Sequence, residues 1–361
     1  MLSRTPLYKA HVDLGGRLVD FAGWEMPIQF AGILAEVRTV RSKLGLFDVS
    51  HMGRIWLTGA DAALILNWLT TADVPSIRIS RAKYTLICND KGGIIDDGII
   101  YRLAEEKYLL ICNASNRVKV WEALNMARDS QFSAVELDDS TTTIGMIALQ
   151  GPFANDVMND LAPGIAEALR PFQIREVEIL GQSVLIARTG YTGEDGFEIM
   201  PQSESCPDLW YGLVERGALP CGLGSRDILR LEAGLLLHGS DMDEGVNPFE
   251  AGLDRFVFSE KESISSASLQ TVLQHGIRKK LVGFLMIDRG VPRHGFDILK
   301  DDAIVGVVTS GGYSPSLDSY LGLGYVPIEA ASPGTLIYIS VRGRLVEAQV
   351  TTLPFYTRRK T

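Results

Sequence analysis

Cysteine is scarce in this chain of 361 residues: there are four, Cys88, Cys112, Cys206 and Cys221, with no Cys-x-x-Cys pair among them. That spacing argues against a disulfide framework or a zinc site and points to buried free thiols in a reducing compartment. The five histidines, His11, His51, His238, His275 and His294, show no ligand spacing, so no metal is expected. No apolar run approaches the roughly 18 residues that a membrane-spanning helix needs. The opening Met1-Leu2-Ser3-Arg4-Thr5-Pro6 has neither a signal-peptide core nor an Arg/Ser-rich transit segment. Basic residues are in deficit, 35 Lys and Arg against 44 Asp and Glu, for a net charge of −9. That balance disfavours nucleic acid or an anionic membrane as the main partner. A cytoplasmic protein with a sizeable core is the expectation.

What the chain does have is an unusual pair of acids. Gly92-Gly93-Ile94-Ile95-Asp96-Asp97-Gly98-Ile99-Ile100-Tyr101 sets two carboxylates inside a run of isoleucines. Isoleucine favours strands, and Asn89-Asp90-Lys91-Gly92-Gly93 before it tolerates tight turns, so the run reads as the second arm of a hairpin whose first arm is Tyr84 to Cys88. Successive strand side chains point to opposite faces, so Asp96 and Asp97 cannot both avoid the interior if both faces are covered. A carboxylate against apolar neighbours costs several kcal/mol, roughly, unless it is paired, protonated or used. An edge strand with one acid solvated and the other salt-bridged explains the pattern equally well.

Elsewhere the periodicity alternates between helix and strand. Asp20-Phe21-Ala22-Gly23-Trp24-Glu25-Met26-Pro27 reads as a loop, with its aromatics either lining a ligand or plugging the core. Ile33, Val37, Val40 and Leu44 mark a helix that Gly45 ends. Leu46 to Gly53 reads as a second loop, in which His51 either pairs with Asp48 or plays a structural hydrogen-bonding part; the latter is preferred. Glu198, within Phe197-Glu198-Ile199, begins a strand and faces either a cleft or solvent. Ser225 is a candidate N-cap for a helix carrying Ile228, Leu231 and Leu235. That puts Arg226 in the first turn, where a cation opposes the helix dipole and needs an acid such as Asp97 or a ligand carboxylate to offset it. Neither the Gly-rich Arg188 to Gly196 stretch nor the acids of Asp241 to Glu244 fits a phosphate-loop or EF-hand spacing. The polar stretch from 259 to 280 reads as a domain boundary. After it, six short strands with Gly, Pro and Asp turns read as a closed or nearly closed β-barrel.

The ordered motifs resemble the glycine cleavage system T protein, an aminomethyltransferase. The resemblance is carried by Arg4-Thr5-Pro6-Leu7-Tyr8, Asp20 to Pro27, Phe47-Asp48-Val49-Ser50-His51-Met52-Gly53 and Gly92 to Asp97. Leu149-Gln150-Gly151-Pro152, Thr189-Gly190-Tyr191-Thr192-Gly193-Glu194-Asp195-Gly196, Gly222 to Asp227, Asp241 to Glu244, Thr309-Ser310-Gly311 and Pro354-Phe355-Tyr356 extend it over nearly the whole chain. It implies an α+β, three-domain fold around a central hole that holds folate. Two N-terminal α+β domains are interleaved within 1–260 (1–53 with 140–222, and 54–139 with 223–260), and 279–361 forms the barrel. It implies transfer of an aminomethyl carbon from the lipoyl arm of H protein to tetrahydrofolate, giving methylenetetrahydrofolate, ammonia and a dihydrolipoyl arm, with no metal. Asp97 matches the family's essential carboxylate and Glu198 the acid that grips the pterin. Tyr84 and Arg226 match residues beside the folate, and Asn113 and Tyr191 line the same site. A monomer or weak dimer is expected. Gly98 departs from the family's usual Leu, which suggests looser packing beside the acid. A demethylase on the same fold and a non-enzymatic folate-binding factor are the other readings; no cysteine here sits in the reactive motif of the latter.

Overall fold

The isoleucine run is an inner strand. In the computed structural model, which describes residues 2–358, Ile94–Ala104 lies between Arg81–Cys88 and Lys107–Cys112 in a five-stranded sheet completed by Gly53–Thr58 and Glu136–Asp139. It has a hydrogen-bonded neighbour on each side, so it is not the edge strand considered from sequence. The chain divides into two compact units. One combines the residues up to Ile87 with Asp96–Arg226, and the other combines Cys88–Ile95 with the chain from Asp227 on.

The first unit holds the five-stranded sheet and a six-stranded one. The order in the latter is Ile174–Ile179, Gln182–Ala187, Gly196–Met200, Ile147–Gln150, Gly45–Asp48 and Leu219–Pro220. Its inward row (Leu46, Ile147, Leu149, Phe197, Ile199) packs with Met158 of helix Ala154–Leu161 and with Leu209, Trp210 and Leu213 of helix Cys206–Glu215. Both central strands are covered on their faces, which is why Ile147–Gln150 reads as a continuous apolar run rather than an alternating one. The Gly45–Asp48 strand corrects the loop expected there: all four residues are buried. Asp20 to Pro27 is likewise a hairpin, Arg17–Phe21 with Trp24–Gln29. Its turn is Ala22-Gly23, both at positive φ (50° and 80°), the backbone that a two-residue hairpin loop with native twist requires.

In the second unit, six strands close into a barrel in the order Lys279–Met286, Ser319–Pro327, Ala303–Ser314, Asp297–Lys300, Leu336–Val341 and Arg344–Thr351. Closure comes from Gly283 to Met286 pairing with Ala348 to Thr351. Phe284, Ile298, Val308, Ile337, Ile339 and Val350 fill the interior. The polar stretch before the barrel carries a helix, Ser266–His275, anchored by buried Leu269. Its single buried side chain explains why periodicity did not reveal it. The four cysteines are buried free thiols. Among the described residues no helix is long and apolar enough to cross a membrane.

Candidate active site

Alternation along the inner strand separates the two acids as the pleat requires: Asp96 is fully buried and Asp97 half-buried. Lys107–Cys112 pairs with the acid strand as far as Gly98 opposite Cys112. Asn113, just past that last pair, therefore stands at the end of the neighbouring strand, where its side chain can reach both faces. Its Nδ2 donates to Oδ1 of Asp96 and to Oδ1 of Asp97, each at 2.8 Å. Asp96 is further held by the Asn113 backbone N–H at 2.9 Å and by Nδ2 of Asn116 at 2.7 Å. Burial raises the Asp96 pKa above the usual carboxylate range, and the amide donors oppose the rise without cancelling it. Amides rather than a cation satisfy this acid, which corrects the salt bridge considered from sequence.

The second oxygen of Asp97 accepts from Tyr84 Oη at 3.0 Å. Burial and the Asp97 charge both push the Tyr84 pKa well up, so this hydroxyl stays a donor. Two donors on two different oxygens fix the carboxylate plane of Asp97 before any ligand arrives.

A second buried acid stands on the other sheet. Glu198 lies in Gly196–Met200, paired with Ala148 on one side and Ala187 on the other, and is 5% exposed. Small neighbours on both sides leave it room. It points inward, not to solvent. Its Oε2 accepts a hydrogen bond from Thr189 Oγ1 at 2.5 Å, and Tyr101 Oη lies 3.0 Å from Thr189 Oγ1 and 3.4 Å from the carboxylate. Oε1 takes no hydrogen bond from any described residue. Burial raises the Glu198 pKa, opposed by the Thr189 bond and the Arg226 charge.

Arg226 does not pair with Asp97. Its guanidinium stacks over the Tyr191 ring, 4.7 Å from the centroid, and Nη2 lies 3.9 Å from Met52 Sδ. Nη1 is buried with no hydrogen-bond partner. Burial lowers its pKa, with Glu198 pulling the other way. Helix Leu223–Glu232 begins before Ser225, so Ser225 is not the N-cap; its hydroxyl donates to Gly222 O and to Glu36 Oε2, each at 2.8 Å.

Asp48 and His51 are not partners. Asp48 accepts from His11 Nε2 at 2.8 Å, from Thr5 Oγ1 at 2.6 Å and from the Ser50 N–H at 2.8 Å. His51 Nδ1 is buried without a hydrogen bond, against the structural bonding role expected of it. Thr189 and Tyr101, which orient Glu198, escaped the sequence reading. Thr189 stood in a quoted motif, but nothing in a one-dimensional pattern shows a hydroxyl reaching a strand nine residues on.

Gly98 does not loosen the sheet. A Cβ there would lie 2.5 Å from the Ile111 carbonyl oxygen, so glycine permits a closer approach of the two strands than a side chain would allow. Among the described residues no cluster of three or more His, Cys, Asp or Glu is arranged to hold a metal.

Comparison with known proteins agrees with this layout. Residues 7–261 match the GCVT N-terminal domain and residues 279–357 the glycine cleavage T-protein C-terminal barrel domain. The aminomethyltransferase of Symbiobacterium thermophilum is 43% identical over 98% of this chain and 97% of its own length. That of Bacillus subtilis is 41% identical over 99% and 100%. The crystal structure of glycine cleavage system aminomethyltransferase T from Bartonella henselae superposes with a TM-score of 0.94 at 34% identity, covering 99% of both chains. With two family domains matched end to end and the acids set as described, the chain belongs to the glycine cleavage T-protein family of aminomethyltransferases.

Proposed function

We propose that this aminomethyltransferase of the glycine cleavage system binds tetrahydrofolate between Glu198 and Asp97 and takes its aminomethyl group from the lipoyl arm of H protein. The observation that carries the reading is Glu198 Oε1, which takes no hydrogen bond from any described residue while Thr189 and Tyr101 hold Oε2, with the Arg226 charge acting on the same carboxylate. A pterin fits it. Its N3–H and 2-amino group present two donors to one carboxylate, a charge-assisted contact that few other rings offer. Thr189 and Tyr101 hold that carboxylate from behind, so its free edge is already aimed. Tyr191, under Arg226, supplies an aromatic wall.

Asp97 stands at the reacting carbon in this reading. As the carbon–sulfur bond weakens, positive charge grows on the aminomethyl carbon, and a fixed carboxylate stabilises it without reorganising. Asn113 and Tyr84 keep that carboxylate in place. N5 of tetrahydrofolate then forms the new carbon–nitrogen bond, N10 closes the ring and ammonia leaves. The two protons given up by N5 and N10 balance those gained by the sulfur and the departing amine. Residues 1–53 with 140–222, 54–139 with 223–260, and 279–361 are the proposed domains; the strand membership of the two sheets and the barrel supports the division within 1–222 and the separate barrel, whereas the chain from Asp227 on groups with the barrel unit. A monomer or weak dimer in the cytoplasm, working without a metal, completes the reading. The test is ammonia release from aminomethylated H protein. Release that requires both tetrahydrofolate and this chain supports the assignment, and release independent of folate sinks it.

A further inference from the structure

Two glycines face one amide in the six-stranded sheet. Gln150 ends the strand Ile147–Gln150, opposite Gly45 on one side and Gly196 on the other. Its side chain is fully buried and lies against Gly190 and Gly196, where a Cβ on either would collide with the amide. A buried amide has a donor end and an acceptor end to satisfy. Gln150 spends both on the loop that carries Thr189 and Tyr191. Nε2 donates to the Thr189 carbonyl at 3.2 Å, and Oε1 accepts from Thr192 Oγ1 at 2.8 Å. The polarity is set from both sides. Thr192 Oγ1 accepts from the Glu194 N–H at 3.2 Å, which leaves its own hydrogen for Gln150. The Thr189 carbonyl can only accept, so turning the amide over would set oxygen against oxygen. Arg41 braces the far side of the loop: its Nη1 donates to Thr192 O at 2.7 Å and to Glu194 Oε1 at 2.8 Å.

We infer that Gln150 is a positioning residue for the ligand-binding carboxylate: its amide fixes the Thr189 backbone, and the Thr189 hydroxyl in turn fixes Glu198. Three groups face that carboxylate. Tyr101 Oη lies 3.4 Å away and the Arg226 charge acts from farther off, while Thr189 Oγ1 donates at 2.5 Å. The closest of the three is thus the one whose main chain Gln150 holds. Gln150 itself touches no ligand. It acts by keeping Oε2 of Glu198 occupied, so that Oε1 keeps one direction before a ligand arrives. The assignment rests on the folate reading above for what Glu198 grips, and goes beyond it in naming the group that keeps the acid aimed.

The test reads the Glu198 carboxyl directly by NMR. In a chain carrying isotope-labelled glutamate, its carboxyl resonance is the one missing from Glu198→Gln. Its titration is followed in the wild-type chain, Gln150→Met, Thr189→Val and the double variant. Methionine keeps the length of the side chain but offers no donor to the Thr189 carbonyl. Gln150→Met should raise the carboxyl midpoint by roughly 0.4 to 1 pH unit, the scale of one neutral hydrogen bond. In the Thr189→Val background the same change should add nothing, because the path runs through the missing hydroxyl. A midpoint that Gln150→Met leaves in place would overturn the inference, and so would an equal rise in both backgrounds. If the methionine variant does not fold, Thr192→Val, which removes the hydroxyl that sets the amide, decides by the same pattern. Calorimetry with tetrahydrofolate runs beside the titration. A wild-type chain that binds no tetrahydrofolate overturns the folate reading, while the titration still decides whether Gln150 holds Glu198.

Discussion

Replacing Thr189 by Val removes one hydroxyl and keeps the side-chain shape, so it isolates a single bond. In the structure that hydroxyl donates to Glu198 Oε2 at 2.5 Å, and the remaining donor to the carboxylate, Tyr101 Oη, is at 3.4 Å. A hydrogen bond to a charged group contributes about 1.5–3 kcal/mol. It favours the ionised form, so its loss should raise the Glu198 pKa by about one to two units, at 1.36 kcal/mol per unit. Burial already pushes that pKa up, and the lost bond adds to the rise. The sign follows: protonation removes the acceptor that the pterin donors need, so tetrahydrofolate affinity should weaken as pH falls. In Thr189→Val the midpoint of that loss should move to higher pH by the same one to two units, while affinity at alkaline pH stays near wild type. Calorimetric titration with tetrahydrofolate from pH 5.5 to 9 measures it directly. A midpoint that stays put, with affinity reduced equally at every pH, would refute the claim that Thr189 acts through the charge of Glu198.

Other perturbations separate the remaining roles. Asp97→Asn keeps the shape but removes the fixed charge; folate binding should survive and turnover should drop by about two orders of magnitude or more, which single-turnover ammonia release would show. Glu198→Gln should act the other way, weakening tetrahydrofolate binding first, and an unchanged dissociation constant removes Glu198 from the site. Gly98→Ala should cost roughly 1–3 kcal/mol in urea unfolding, because the new methyl meets the Ile111 carbonyl at 2.5 Å and the two strands must part; a neutral result would mean the sheet yields freely there. Acid stability should fall in two stages. The folded His51 pKa of about 4 lies below its ordinary 6.5, so the folded state resists protonation and stability drops as pH falls from 6.5 to 4. For Asp48, burial works to raise the pKa, but the hydrogen bond and charge of His11, with Thr5 and Ser50, outweigh it and hold it at about 2. Its share, about 2 kcal/mol for a shift of that size, is present above pH 4 and lost as pH falls through 2. Urea titrations at stepped pH test both, and His51→Leu should flatten the first stage alone.

Much of this was legible in the residues. The barrel showed itself because its strands are short and set between Gly, Pro and Asp turns; six were read there and six close it. The Trp24–Gln29 strand was hidden by Pro27, which the pattern reads as a breaker, although this two-stranded ribbon tolerates it with a register shift at Arg17/Leu18. Gly45–Asp48 was hidden by its own burial, since a strand covered on both faces has no alternation to read. At the site, the pleat alone said that one acid of Asp96 and Asp97 must turn inward. That Asn113 would bridge both, that Arg226 would lie on Tyr191 rather than on Asp97, and that His11 rather than His51 would claim Asp48 depended on contacts between segments far apart in sequence.

One side-chain amide carries a hazard of its own. Asn113 is the donor that Asp96 and Asp97 share, and amides hydrolyse with age while carboxylates do not revert. A single deamidation would exchange the bridging donor for a third acid. Asp96 would keep the backbone N–H and Asn116, but Asp97 would face a new negative charge where it had a hydrogen bond. Like charges that close raise one another's affinity for protons, so the carboxylate that must stay ionised would be drawn toward its neutral form. The working life of each molecule is then set in part by the chemical lifetime of one asparagine, and protein held at warm, mildly alkaline pH should lose turnover well before it loses its fold.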